Sequence, residues 1–146
     1  MNHQECEHIN YLALDILIDS KIDQLPVNVA QIAAHHGLNY TIDLSKTRFE
    51  NTVAISSLIL QKYGYDHSLF YSEYLAVKIL SPLVVFKELG ISMFEEFYVL
   101  ADLPPLIASL RFEHYENLCR HNDIGKYNIE KRILNMFKNC ISFVHR

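Results

Sequence analysis

The sequence predicts a mainly α-helical domain with one small β element, an α+β chain folding as a single domain over residues 1–146. Three observations predict it. Most segments repeat apolar residues at helical spacing, one heptapeptide alternates apolar and polar residues instead, and half of the residues are apolar, enough to bury one core.

The elements follow in order. In "CEHINYLALDILID", Ile9, Leu12, Ala13, Ile16 and Leu17 share a helical stripe, and Pro26 closes the loop that follows. "VNVAQIAAHHG" predicts a second, short helix with Gly37 placed for the left-handed conformation at its end. "LNYTIDL" sets Leu38, Tyr40, Ile42 and Leu44 on one face and polar residues on the other, which is the pattern of a strand. "TVAISSLILQKYG" (52–64) is apolar enough for the middle of the core, and its pattern fits a helix or a strand. "DHSLFYSEYLAVKIL" returns to helix. Ser81 before Pro82 predicts an N-cap with proline at the first helical position, opening "PLVVFKEL" before Gly90 stops it. Ser92 and Glu95 predict a capping box for "MFEEFYVLA". A turn from Asp102 to Pro105 leads into a helix near 105–120, and Ile129, Ile133, Leu134, Phe137 and Ile141 form the stripe of a closing helical segment.

Charge narrows the function classes. A formal charge of −4 and a pI near 6.0 give no basic footprint for a phosphate backbone, so direct nucleic-acid binding is not expected. The helix pair at 92–120 has the layout of a helix-turn-helix, but its second helix carries Arg111, Glu113, His114, Glu116 and Arg120, and phosphates repel those carboxylates. Packing is the better account of that pair. Three widely spaced cysteines (Cys6, Cys119, Cys140) and the lack of a charged-then-apolar leader point to a reducing, cytoplasmic location without a disulfide framework. The apolar runs read as too short for a bilayer span, so no membrane is expected.

Few residues invite chemistry. His35 and His36 are adjacent, point about 100° apart on a helix and read as a helix-terminal surface pair. His3, Cys6 and His8 form one string, and His114, Cys119 and His121 form a looser group with Cys140 and His145. Zinc takes about four nitrogen or sulfur ligands, of which His114, Cys119 and His121 are the candidates, but neither group has zinc-finger spacing. Buried cysteines acting as small hydrophobes are the competing account. No cofactor is expected beyond such a structural zinc. Neither a Gly-rich phosphate loop nor G-x-S-x-G nor H-E-x-x-H occurs. The pairs Glu95/Glu96 and Glu113/Glu116 read as caps and solvated helix faces.

From residue 69 onward, "LFYSEYLAVKILSPLVVFKELGISMFEEFYVLADLPPLIASLRFEHYENLCRHND" resembles the C-terminal half of ImmA/IrrE-type zinc metallopeptidases. In that family a helix ending in aliphatics and proline, here Ile79, Leu80, Ser81 and Pro82, precedes a short helix, a helix pair and a closing helix. "IDQLPVNVAQIAAHHGLNYTIDL" is similar to the family's opening, and both flanks keep its order. Between them the family carries an H-E-x-x-H helix, in which two histidines bind zinc, the glutamate polarises water and a later glutamate completes the coordination. With "TVAISSLILQKYG" laid on that helix, the ligand positions fall on Ile55 and Ile59, the base on Ser56 and the later ligand on Leu69, while Glu73 lies one turn beyond.

Aliphatic side chains bind no zinc, so the resemblance implies a shortened pseudo-metallopeptidase: no enzyme, but a protein-binding regulator or inhibitor associated with phages or mobile elements. The implied partner is a repressor, as cleaved by active members; a stand-alone inhibitor of a host defence nuclease, of the anti-CRISPR type, is a separate reading with which the small size and acidic charge are compatible. Tyr63, Tyr65, Phe70, Tyr71 and Tyr74 crowd the segment beside the former site and are the partner-binding candidates. The alternative is an active hydrolase with a relocated zinc site built from the His and Cys residues near the termini.

Overall fold

The helical stripes become helices, and the alternating heptapeptide does not become a strand. The computed structural model describes residues 1–144. Its elements are α1 (His3–Asp19), α2 (Val29–His35), α3 (Arg48–Lys62), α4 (Leu69–Leu80), α5 (Leu83–Glu88), α6 (Phe94–Ala101), α7 (Pro105–Arg120), α8 (Asn128–Met136) and α9 (Lys138–Val144). Among the described residues all regular structure is helical, so the expected α+β class is corrected to all-α.

The reason lies in Asn51, a buried side chain on α3. Residues 38–44 are irregular, with a bend at Asn39 and a turn at Leu44 and no neighbouring strand, and their polar groups must be satisfied some other way. Asn51 does this. Its Oδ1 accepts from the Tyr40 hydroxyl at 2.6 Å and the Asp43 amide at 2.9 Å, and its Nδ2 donates to the carbonyls of Asp43 and Thr47, each at 3.0 Å. Leu38, Tyr40 and Ile42 pack against the core, whereas Leu44, which the alternation placed beside them, is 95% exposed at the following turn.

"TVAISSLILQKYG" is the body of α3, which settles the choice between helix and strand. Its N-terminus carries a capping box: the Thr47 hydroxyl accepts from the Glu50 amide at 3.1 Å, and Glu50 accepts from the Thr47 amide at 3.1 Å. Two expected caps are corrected. Met93, not Ser92, precedes α6, and no side chain caps it. Ser81 ends α4 instead of opening α5, with its hydroxyl donating back to the Val77 carbonyl, and Pro82 occupies the N-cap position of α5.

α3 and α4 form the most extensive helix pair, α4 also packs on α1, and α1 on α8. Ile16 and Leu17 of α1, Ile55, Ile59 and Leu60 of α3, and Leu75, Ile79 and Leu80 of α4 are all out of contact with solvent. Phe86, Phe97, Phe112 and Tyr115 make an aromatic cluster under α6 and α7, with Phe86 and Phe97 centroids 4.7 Å apart. The Tyr115 hydroxyl leaves this cluster satisfied, donating to the Ile91 carbonyl at 2.7 Å. Contrary to the expectation that no run approaches a bilayer span, Leu69–Glu88 is long and apolar enough for one by length and composition, with an 18-residue window of mean hydropathy 1.5. It is two helices broken at Ser81–Pro82, and 61% of that window is buried within the fold.

Candidate functional site

The positions assigned to metal ligands lie in two different environments. Ile55, Ser56 and Ile59 face inward from α3 and are fully buried, and the Ser56 hydroxyl has no hydrogen-bond partner. Leu69 opens α4 on the surface, 66% exposed. A side chain at position 69 therefore does not complete a site around 55 and 59.

Surface aromatics gather where α3 turns into α4. Tyr63, Tyr65 and Phe70 are 50%, 46% and 61% exposed. Tyr63 and Tyr65 border a shallow groove of about 280 Å³ with His8, Tyr11, Leu12 and Asp15 of α1. Burial, followed by the charge of Asp19, raises the Asp15 carboxyl above its ordinary pKa. The other two candidate aromatics are internally engaged. Tyr71 donates its hydroxyl to Glu5 at 2.8 Å, tying α4 to α1, and this hydrogen bond raises its pKa. Tyr74 is half-buried, pushed up to about 12 by burial and by a hydrogen bond with Cys6, and its ring lies 4.7 Å from Lys78 Nζ. Sequence reasoning missed Tyr11, whose helical position disguised its exposure. It also missed other exposed apolar side chains, Val99 of α6 and Leu106 and Leu110 of α7.

The histidines and cysteines do not converge. Among the described residues no three His, Cys, Asp or Glu side chains could hold one metal ion. His114 and Cys119 are five residues apart on α7 and so point about 140° apart, and His121 is exposed past the helix end. His3 pairs with Glu7 at 3.1 Å, and Cys6 turns to Tyr74. His145 lies outside the described residues. At the end of α2 the rings of His35 and His36 meet edge to face with centroids 5.3 Å apart. His35 is exposed, but His36 is only half-exposed, with a buried, unpartnered Nε2, and burial and then His35 lower its pKa.

A larger cleft of about 730 Å³ opens between α1, α4, α5, α7 and α8. Leu14, Leu83, Val84 and Ile129 supply apolar lining, and Lys78, Arg111 and His114 supply cationic or basic lining. Arg111 is held from α7 against the α4–α5 break, its Nε donating to Ser81 Oγ at 2.8 Å and one Nη to the Ser81 carbonyl at 2.9 Å. Burial, reinforced by Arg111, holds the Lys78 ammonium down to about 7, and burial followed by both cations lowers His114. This arrangement was invisible in the spacing of the residues. His8 and Tyr11 border both the cleft and the aromatic groove, so the two adjoin across α1. Comparison with known proteins gives no matching family model, no matching curated protein and no matching solved structure.

Proposed function

We propose that this chain acts without catalysis, as a regulator or inhibitor that holds a protein partner on the aromatic surface where α3 turns into α4. The observation that carries the reading is the exposure of Tyr63, Tyr65, Leu69 and Phe70 within one short stretch of chain. Exposed apolar clusters of this kind mark interaction sites, and tyrosine is enriched among residues that dominate binding energy. The burial of Ile55, Ser56 and Ile59 supports the non-catalytic half of the reading, because those side chains offer no zinc ligand and no base. The resemblance to ImmA/IrrE-type proteins supports a setting on phages or mobile elements and a repressor partner, while small size and acidic charge are compatible with a host defence nuclease as the partner instead.

The test is affinity capture with quantitative mass spectrometry from the native cell during phage infection, comparing the wild type with a Tyr65→Ala, Phe70→Ala double variant. One repressor or nuclease captured by the wild type should fall at least about tenfold with the variant, while the melting temperature stays unchanged. Equal capture by both, or chelator-sensitive cleavage of the captured protein, overturns the reading.

A further inference from the structure

The cleft between α1, α4, α5, α7 and α8 contains an unusual charge arrangement. Lys78 stands one helical turn before Ser81 on α4, and Ser81 holds the Arg111 guanidinium through both its hydroxyl and its carbonyl. His114 stands one turn after Arg111 on α7. Three basic side chains from two helices thereby line one apolar cleft.

Among the described residues, no carboxylate pairs with Lys78 or Arg111. The acids bordering the cleft are committed elsewhere. Glu7 pairs with His3 at 3.1 Å, Asp123 with Lys126 at 2.8 Å, and Glu130 accepts the amides of Gly125 at 2.9 Å and Tyr127 at 3.0 Å. Arg111 is only 9% exposed, and one of its Nη groups makes no hydrogen bond among the described residues. Burying the Arg111 guanidinium, and with it the Lys78 ammonium when protonated, without a counter-charge is unfavourable, and the resulting field favours an anion in a low-dielectric cleft. An anion seated there would supply the absent counter-charge.

We propose that this cleft binds an organic anion, with a carboxylate or phosphate head against Lys78, Arg111 and His114 and an apolar body along Leu14, Leu83, Val84 and Ile129. The volume of about 730 Å³ suits a small molecule. Glu7, Asp123 and Glu130 at the border disfavour polyanions, which selects a head of low charge on an apolar chain. The inference is independent of the aromatic surface.

The experiment titrates the full chain by calorimetry with octanoate, octyl phosphate, octanol and inorganic phosphate. At least one octyl anion should bind about tenfold or more tightly than both octanol and inorganic phosphate, and the tighter of the two identifies the head. Lys78→Met should lose about tenfold in affinity for that anion, and Lys78→Arg should retain it. Methyl resonances of Leu14, Leu83 and Val84 in the wild type should shift on titration while those of Leu106 and Leu110 stay fixed, a readout independent of how any variant folds. Octyl anions binding no tighter than octanol, unchanged affinity in Lys78→Met, or shifts confined to Leu106 and Leu110 would each overturn the assignment.

Discussion

Arg111 and Ser81 are joined twice: Nε donates to the Ser81 hydroxyl at 2.8 Å and one Nη to its carbonyl at 2.9 Å. The contact fastens α7 to the break between α4 and α5, where the polar groups of Ser81 are fully buried. Ser81→Ala removes the acceptor of a buried, charged donor and should lower stability by about 1.5–3 kcal/mol. Ser92→Ala, at a serine that caps no helix, should stay within about 0.5 kcal/mol of the wild type. Urea melts of the two variants should therefore separate clearly.

A second prediction concerns the segment that the sequence casts as a strand. Asn51→Leu leaves the Tyr40 hydroxyl, the Asp43 amide and the Asp43 carbonyl without their partner, and should lower stability by about 2–4 kcal/mol. Tyr40→Phe removes one of these hydrogen bonds and should lower it by about 1 kcal/mol. Hydrogen exchange should show the Asp43 amide losing protection in Asn51→Leu.

These residues also show where sequence legibility ends. The stripes in α1, α4 and α7 are written in local spacing, so helices were expected where they occur. Alternation over residues 38–44 is equally local, but a strand needs a partner, and here the partner is one asparagine on the next helix. The capping box at Thr47 and Glu50 carried the same signature as Ser92 and Glu95, and only the chain's approach to each helix separates the box that forms from the one that does not. In the candidate surfaces, Tyr63, Tyr65 and Phe70 stand in one local cluster. Lys78 and Arg111 sit on separate helices, and only the break at Ser81 brings them together.

The third prediction tests the interior of α3. Ile59→Ala should lower stability by about 2–5 kcal/mol, because the side chain is fully enclosed. Ser56→Ala should instead raise it by about 1 kcal/mol, since it deletes a buried hydroxyl without a partner and improves helix propensity. Combining Ile55→His, Ser56→Glu and Ile59→His should destabilise the protein strongly, and zinc should not restore the melting midpoint. Three polar groups would then be enclosed, while position 69, the place of the completing ligand, lies on the surface.

The last prediction is the pH dependence of stability set by Lys78. Its ordinary pKa of 10.5 falls to about 7 in the fold, first through burial and then through Arg111, with Cys6 opposing the shift. Tyr74 and His114 are the other titratable neighbours. Between about pH 7 and about pH 10.5 the unfolded chain holds a proton at Lys78 that the folded chain has released. Stability therefore rises with pH across that window, and the penalty is complete below it. A tenfold change in proton affinity is worth about 1.4 kcal/mol, and a side chain that keeps some contact with water realises part of the full amount. Lys78→Met should thus stabilise the protein by about 1–3 kcal/mol near pH 6, with the gain shrinking steadily toward pH 10. Denaturant melts of both proteins across this range check the slope, and a gain independent of pH would assign the effect to packing instead of charge.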